Sequence, residues 1–458
     1  MDLDRILQTN PSYEQAAKQA EYLFRSYVGG ETYRAGQYLT HYIGEQTGPG
    51  DQYSKRLAST PLDNHVQTTV DIYRSFLFQE NPSRQLGVLW DNPLVNQWVN
   101  DTDQEGQNIN SFLKTANDLA MVMGSVWILV DKPSYKVQTQ AQEQQLGIRA
   151  YAAVYNPMNV LDWRYERNIA GKLILNYIKV RESNNADSMV ITEWTPSTVD
   201  RYHVSKDSHG EPEMVLEHRQ YENPIGYVPF VHHAPVKSVI RGVGHSLVAD
   251  VADSQRYIYN LLSELEQTIR ISGHPTLVKT KSTSAAAGAG AIINMDIDTD
   301  PGLRPYLLQP TAAGVNGILD TIELVSDSIK RMTHTSAVTT TRTQATSGVS
   351  LQVERQLLHA KLTDIADTLQ ETELRLWKIW FDWQGITPPA DFSIDYNTIF
   401  DMRDNQSEIQ LYSQALDIVP QESFRQAIYE DIARRLIEDH ETLDQVIAEI
   451  RQPNAGQP

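Results

Sequence analysis

Two long amphipathic helices on either side of a short, mixed segment dominate this sequence. The first is predicted from Ser246 to Ile271, a stretch that contains no proline or glycine and repeats apolar residues at steps of three and four. A helix of that length is about 35 to 40 Å long, more than most domains need. The second helix has a strict apolar seam, typical of a helix that packs against another helix. The seam consists of Ile318, Ile322, Val325, Ile329 and Met332.

A polar loop and a third, still longer helix follow the second helix. Residues Ser336 to Ser347 are rich in Thr and Ser and contain no apolar side chain larger than Val, so we expect a mobile loop. After Gly348 a helical pattern continues for about 35 residues to Gly385. Helices much longer than 25 residues usually pack along their whole length within an assembly.

The rest of the chain predicts an α+β fold that is mostly helical. Residues 1 to about 130 have helical spacing with glycine and Asn-Pro stop signals, whereas Gly147 to His233 alternates short β-branched and aromatic runs with turn residues. The stretch from Gln406 to Arg451 is helical and amphipathic again.

The composition and net charge exclude several classes of protein and of functional site. The chain has 458 residues and a net charge of −19, so it is large enough for several lobes and too acidic for an extended grip on nucleic-acid phosphates. It has no cysteine, which excludes disulfides, thiolate metal sites and cysteine nucleophiles and fits a reducing compartment. The N-terminus lacks a secretory apolar region, and the most apolar run, Leu119 to Val130, is shorter than a bilayer span. We therefore expect a soluble cytoplasmic protein.

Motifs for catalysis or cofactor binding are missing. The sequence contains no GxxxxGK[ST], HExxH or GxSxG pattern, and RGVGHS keeps only two of the glycines of a dinucleotide site. The alternating acids Asp296, Asp298 and Asp300 lack the glycine and distal Glu of a calcium loop. His232 and His233 follow a strand-like run, where adjacent side chains point to opposite faces and cannot share one metal ion. We therefore expect no metal and no cofactor.

One enzymatic alternative stays open. The 22 Tyr and 8 Trp could line a sugar-binding cleft, and two of the 58 acids could serve a glycoside hydrolase. Trp377, Trp380 and Trp383 share one helix, however, where aromatic packing is the simpler interpretation.

Basic residues cluster around the polar loop. If the loop faces a channel, a ring of copies of Arg342 offers weak phosphate contacts without sequence information. The alternative is a solvated loop with an incidental arginine. The other basic residues around the loop and in the mixed segment are Lys330, Arg331, Arg355, Lys361, Lys279 and Lys281.

The order of these segments and four local strings resemble the portal proteins of tailed bacteriophages. The strings are YNPMNVLDWR (Tyr155 to Arg164), NPIGYVPFV (Asn223 to Val231), GHSLVADVADSQRYIYNLLSELEQTI (Gly244 to Ile269), with Asn260 near the middle of its helix, and SGVSLQVERQLLHAKLTDIADTLQETE (Ser347 to Glu373). The resemblance covers residues from about 60 to 385.

The resemblance implies a portal-like fold in seven parts. These are a wing (1–242), a first stem helix (243–271), a small α/β clip (272–313), a second stem helix (314–335), a tunnel loop (336–348), a long helix with the return of the wing (349–401) and a helical crown (402–458). It also implies a non-enzymatic ring, typically of twelve subunits, at one capsid vertex of the virion, assembled in the host cytoplasm. Double-stranded DNA passes through the ring. Its partners are terminase, head-completion or adaptor proteins, major capsid protein and scaffold protein, with no membrane.

The same resemblance assigns roles to individual residues. Lys330, Arg331, Thr339, Thr340, Thr341, Arg342, Thr343 and Gln344 would line the DNA channel, and Lys279 and Lys281 would lie in the clip. Subunit packing in the stem would use Leu261, Leu265, Ile318, Ile322, Val325 and Ile329. Besides the enzyme, another minor head protein that never contacts DNA is an alternative.

Overall fold

A computed structural model of the chain describes residues 3–133, 142–143, 146–273, 276–278, 300, 302, 304, 306–308, 312–339, 348–400, 412–413, 416, 421–436, 446–447 and 449–450. The fold is mixed α/β, with about half of the residues helical and antiparallel sheets. The chain divides into two compact units, Met1–Ile399 and Phe400–Pro458. In the second unit the structure describes a helix over Glu422–Leu436, numbered α12 in chain order.

Residues 3–123 are mainly helical, as predicted. Asn and Asp side chains cap several of these helices: Asp51, Asn64, Asn92 and Asn108 each accept a hydrogen bond from a backbone amide of the first turn. The helices are α1 (Leu3–Leu7), α2 (Tyr13–Val28), α3 (Gly30–Arg34), α4 (Gln52–Ser59), α5 (His65–Leu77), α6 (Pro93–Asn100) and α7 (Ile109–Met123), with strand β1 (Ser83–Gln85) and a 3₁₀ turn (Gly87–Asp91) after α5.

A three-stranded antiparallel sheet follows α7. Strand β2 (Val126–Asp131) lies between β3 (Tyr151–Tyr155) and β9 (Phe230–His233). The apolar run Leu119 to Val130 is thus the end of α7 followed by β2, and it is buried from Ala120 to Val130. None of the described helices is both long enough and apolar enough to cross a bilayer.

A five-stranded antiparallel meander lies between β3 and β9 in sequence, which confirms the prediction of a strand-rich region. Its strands, in sheet order, are β4 (Val160–Arg167), β5 (Leu173–Asn184), β6 (Ser188–Trp194), β7 (Thr198–Lys206) and β8 (Pro212–Glu222). Helix α1 packs on this sheet, where Ile6 joins an apolar cluster with Ile191 and Tyr202.

A buried lysine attaches α1 to the meander. The Lys179 ammonium donates hydrogen bonds to the carbonyls of Arg5, Ile6 and Gln8 at 3.1, 2.9 and 3.0 Å and lies 3.4 Å from the Glu193 carboxylate. The last carbonyls of a helix have no partner within the helix, so a cation at this end satisfies them and complements the helix dipole. Burial lowers the pKa of Lys179.

The three long helices of the prediction are present, with shifted ends. Helix α8 spans Ala249–Gly273, α9 spans Ala312–Met332 and α11 spans Gly348–Gln384, with a short helix α10 at Ser336–Thr339. Helix α8 begins after Ser246 because residues 246 and 247 are held against the end of α7: the Leu247 amide donates to the Met121 carbonyl at 3.0 Å.

Short strands complete the first unit. Strands β10 (Thr276–Val278) and β11 (Tyr306–Leu308) pair between α8 and α9, and β12 (Ser393–Asp395) pairs with β1. The segment between α8 and α9 contains two short strand-like runs, TLVKT and AIINM: the first forms β10 over its first three residues, and the second lies outside the described residues.

The glycines of RGVGHS have a packing role. Gly242 has φ +80°, and a Cβ there would overlap the Trp163 indole, whose Nε1 donates to the Arg241 carbonyl at 2.8 Å. A Cβ at Gly244 would overlap the carbonyl oxygen of Gly124. These glycines allow two backbone segments to cross closely.

Candidate functional site

Helix α8 is attached to the N-terminal helices and to the segment between α3 and α4 by the polar side chains of Gln255 and Asn260. The Gln255 side chain, fully buried, accepts from the Val66 amide at 2.9 Å and donates to the Ser26 carbonyl at 3.1 Å. One turn further, Asn260 accepts from the Thr40 amide at 2.8 Å. Asn260, part of the string that resembles portal proteins, therefore joins α8 to the segment between α3 and α4.

A buried ion pair braces that segment. The Arg56 guanidinium donates to both oxygens of Glu45, at 2.9 and 2.8 Å, and each side chain is less than 5% exposed. Arg56 also donates to the Thr40 carbonyl at 2.7 Å and to Ser263 Oγ at 3.0 Å. These hydrogen bonds lower the pKa of Glu45, so the carboxylate is charged at neutral pH.

The braced segment ends in a tight turn with an apolar tip. The Glu45 amide donates to the Tyr42 carbonyl at 3.1 Å, and Gly44 has φ +79°, the pattern of a type II turn. The Tyr42 ring lies 4.0 Å from the Arg56 guanidinium. Ile43 at the tip of the turn is fully exposed.

Helices α8 and α9 pack together, and the strand pair β10–β11 joins them. Of the residues predicted to pack in the stem, Ile329 is buried, and the others are half-buried in the single chain: Leu261, Leu265, Ile318, Ile322 and Val325. The seam thus has a partner within the chain. Whether it also packs between subunits stays a prediction.

Other apolar side chains of this helical pair, and of the start of α11, remain exposed. Leu324 on α9 is 67% exposed and Ile269 on α8 is 55% exposed. The further exposed members are Tyr257, Ile271, Leu319, Met332, Val353 and Leu357. Soluble proteins seldom leave so many large apolar residues exposed unless the surface makes contact with another molecule.

The C-terminus of α9 adopts a left-handed cap with histidine in the glycine position. The Thr335 amide donates to the Lys330 carbonyl at 3.0 Å, and the His334 amide donates to the Arg331 carbonyl at 3.2 Å, as in a Schellman motif. His334 has φ +54°. Glycine normally occupies this position because other residues are strained there.

Basic side chains gather at this junction. Lys330 pairs with Asp327 at 2.9 Å on the same helix, and Arg331 is exposed. Burial lowers the pKa of His334, and the nearby Lys361 charge lowers it further. Burial also lowers the pKa of Lys361. The junction therefore brings together four cationic or titratable groups at the point where the polar loop begins.

The predicted loop starts with helical turns. The Thr339 amide donates to the Thr335 carbonyl at 3.0 Å, and Ser336 Oγ donates to the Glu354 carboxylate of α11 at 2.5 Å. The expectation of a mobile loop from Ser336 is thus wrong for Ser336–Thr339, because these bonds satisfy the local backbone. Thr340, Thr341, Arg342, Thr343 and Gln344, like Lys279 and Lys281, lie outside the described residues.

The tryptophans of α11 belong to a core. Trp377 and Trp380 are fully buried and pack with Trp98 of α6, with ring centroids 6.2 and 6.0 Å apart. Trp383 Nε1 donates to the Val130 carbonyl at 2.8 Å. The packing interpretation is therefore confirmed, and these rings do not line a sugar-binding cleft.

The adjacent histidines point in opposite directions, as predicted. His232 lies against the Trp127 ring, with centroids 4.7 Å apart. His233 Nε2 lies 3.1 Å from Asn117 Oδ1, and its Nδ1 lies 2.9 Å from Thr372 Oγ1. Burial lowers the pKa of His233 to about 3. In the described part of the chain, no group of three or more potential ligand residues is arranged to hold a metal ion.

Sequence reasoning missed Arg56, Glu45, Ile43 and His334. The dipeptide Ile43-Gly44 between polar residues is a turn signal that could have located the tip. No local signal reveals that Arg56 and Ser263, which are 207 residues apart, are in contact.

Comparisons with known proteins give similarities to solved structures of low sequence identity. No protein-family model matches the sequence, and no curated protein matches it. A chain of the solved structure described as "Neck of empty GTA particle computed with C6 symmetry" is 10% identical, with 92% of this chain and 98% of that chain covered and a TM-score of 0.43. A chain of "Neck of native GTA particle computed with C12 symmetry" is 10% identical, with 93% and 99% covered and a TM-score of 0.40. Such low TM-scores assign no function to this chain.

Proposed function

We propose that this chain is the subunit of a portal-type ring, typically of twelve copies, at one capsid vertex. Double-stranded DNA passes through the ring during packaging and ejection. The observation that carries the proposal is the pair of helices α8 and α9, which leaves large apolar side chains exposed along its length.

Contact with another subunit would remove these exposed side chains from water. Burying a side chain such as Leu324 is favourable by about 1.5 to 3 kcal/mol, so several such contacts stabilise an assembly. They occur on both helices, which gives each copy two different surfaces of the kind that head-to-tail contacts in a ring join. Copies related by rotation would then bury the apolar surface that one chain leaves in water.

The charge of the paired helices suits a conduit for DNA. Over Ala249–Gly273 and Ala312–Met332 there are seven acidic and four basic residues. An acidic wall repels phosphate, so DNA slides and is not held. The cations Lys330 and Arg331, with His334 and Lys361, lie where the loop begins, and Arg342 lies within the loop. Of these residues, Arg342 and the exposed Arg331 would give local, movable phosphate contacts.

In this proposal the protein has no catalytic step. The segment between α8 and α9, with Lys279 and Lys281, is the docking platform for terminase and head-completion proteins, and the sheets and N-terminal helices contact capsid and scaffold protein. The ring is part of the virion and is assembled in the host cytoplasm.

Negative-stain electron microscopy of the purified chain, combined with light scattering, tests the proposal. We expect rings with a central hole and a mass of many subunits. A monomer of 51.9 kDa at high concentration would contradict it.

A second experiment tests the channel separately from the ring. Arg342→Ala, or a shortened Ser336 to Ser347 loop, should reduce DNA packaging or retention while rings still form. Arg167→Ala, on an exposed part of β4, is the matched control. Normal packaging with the shortened loop would contradict a role of the loop in the channel.

A further inference from the structure

Ile43 differs from most exposed apolar residues because the turn that carries it is held in place by buried contacts. Scattered surface apolar residues need no explanation. Here, however, two contacts fix the conformation of the turn. Arg56 and Glu45 form a buried ion pair, and the Tyr42 amide donates to the Glu45 carboxylate at 3.0 Å. A contact residue that is already fixed in position loses little entropy on binding, so it contributes more to affinity.

The turn also has a defined position along the helical pair. Thr40, three residues before the tip, is bonded to Asn260 of α8, and Arg56, which holds Glu45, is bonded to Ser263 one turn further along the same helix. Asn260 lies thirteen residues before Gly273, the end of α8. At 1.5 Å per residue, the turn is about 20 Å from the end of the helical pair where β10 and β11 lie.

An exposed apolar residue on the other helix lies at the same height. Leu324 is twelve residues after Ala312, the start of α9, and so about 18 Å from the same end. At 100° per residue, Leu324 is roughly 130° from the middle of the seam formed by Ile318, Ile322, Val325 and Ile329. It therefore lies on a flank of α9 directed away from α8, as its exposure of 67% requires.

We propose that Ile43 of one copy docks on the Leu324 flank of α9 in the next copy of this chain. The inference rests on the proposed ring. Head-to-tail contacts join two different surfaces, and a rotation about an axis along the helices leaves each residue at its own height. The turn that carries Ile43 and the Leu324 flank satisfy both conditions: the turn is anchored on α8 and Leu324 is on α9, and the anchor Asn260 and Leu324 are about 20 and 18 Å from the end of the pair.

Cysteine cross-linking tests the contact, because the chain has no native cysteine. The double variant Ile43→Cys, Leu324→Cys, oxidised or treated with a short bismaleimide after rings have formed, should give a ladder of covalent multimers on a denaturing gel. A ladder requires head-to-tail contacts, whereas a two-fold contact stops at dimers. The single variants should give no ladder.

A matched control comes from Ile169, which is also fully exposed but lies in the turn between β4 and β5. Ile169→Cys with Leu324→Cys should give no ladder. Likewise, Ile43→Asp should raise at least tenfold the protein concentration needed for half-maximal ring assembly, while Ile169→Asp should leave it unchanged.

The outcomes separate this inference from the proposed function. Rings of the double-cysteine variant that give no cross-linked species, or dimers only, would overturn the Ile43 contact and leave the ring itself standing. Absence of rings in the unmodified protein would overturn both.

Discussion

Arg84 and Glu373 form a buried ion pair between β1 and the long helix α11. The Arg84 guanidinium donates to both carboxylate oxygens, at 2.5 and 3.2 Å, and the Glu373 side chain has no exposure. Trp377 Nε1 and the Tyr396 hydroxyl donate to the same carboxylate at 3.0 and 2.7 Å. Four hydrogen bonds thus compensate the desolvation of one charge and attach α11 to the β1–β12 pair.

The first prediction concerns this pair. Glu373→Gln keeps the shape but leaves the Arg84 charge buried without its counter-ion, so we expect a loss of about 3 to 5 kcal/mol in the free energy of unfolding. Urea denaturation measures it. Glu371→Gln, half a turn away with exposed partners Arg375 and Lys237, is the control and should change stability by less than about 1 kcal/mol. Equal effects of the two substitutions would contradict the role given to Glu373.

The second prediction concerns the strained cap of α9. His334→Gly should be more stable than His334→Ala by about 1 kcal/mol, because both remove the imidazole and only glycine adopts φ +54° without strain. Comparing the two variants isolates the backbone contribution, and the difference between their urea midpoints measures it. If alanine is tolerated as well as glycine, the left-handed conformation carries no strain.

The third prediction concerns acid sensitivity. The pKa of His233 is about 3 in the folded chain and about 6.5 when unfolded, so the unfolded chain takes up the proton first as the pH falls. Above pH 6.5 the histidine is neutral in both states, and its contribution to the free energy of unfolding is at its maximum. Between pH 6.5 and pH 3 this contribution decreases by about 1.4 kcal/mol for each pH unit. His233→Gln should remove that part of the slope between pH 4 and 6.

The control for the pH experiment is His209→Gln in the exposed turn between β7 and β8, which should leave the slope as it is. Urea denaturation at several pH values, at one protein concentration, supplies the comparison. An unchanged slope in His233→Gln would show that this histidine already takes up its proton in the folded chain.

The fourth prediction concerns the brace beneath Ile43. Arg56→Met removes the partner of the buried Glu45 carboxylate, so we expect the turn at residues 42–45 to lose its fixed conformation. Amide hydrogen exchange at Glu45 should become at least tenfold faster. Arg25→Met, which pairs with Glu21 on an exposed helix face, is the control and should leave the exchange at Glu45 unchanged. Equal protection of Glu45 in both variants would mean that Arg56 does not hold the turn.

Local patterns in the sequence were enough to predict the long helices and the strand-rich region, but not the short helix at Ser336–Thr339. The third long helix was predicted between Gly348 and Gly385, and it spans Gly348–Gln384. The pattern of Ile318, Ile322, Val325 and Ile329 predicted α9, and the alternation after Gly147 predicted the meander. Helical and strand periodicities arise from residues a few positions apart, so the sequence carries them directly.

Tertiary structure alone decided which side chains meet. Arg84 and Glu373 are 289 positions apart, and Arg56 and Ser263 are 207 apart. Nothing in the residues around either pair distinguishes them from surface charges. These contacts form only after α8 and α11 have packed on the N-terminal helices, because burial of the Arg84 and Arg56 charges is favourable only where the fold supplies polar partners for them. The exposure of Ile43 and Leu324 has the same origin: periodicity places Leu324 off the seam, but only the packed helices show that no other part of the described chain covers it.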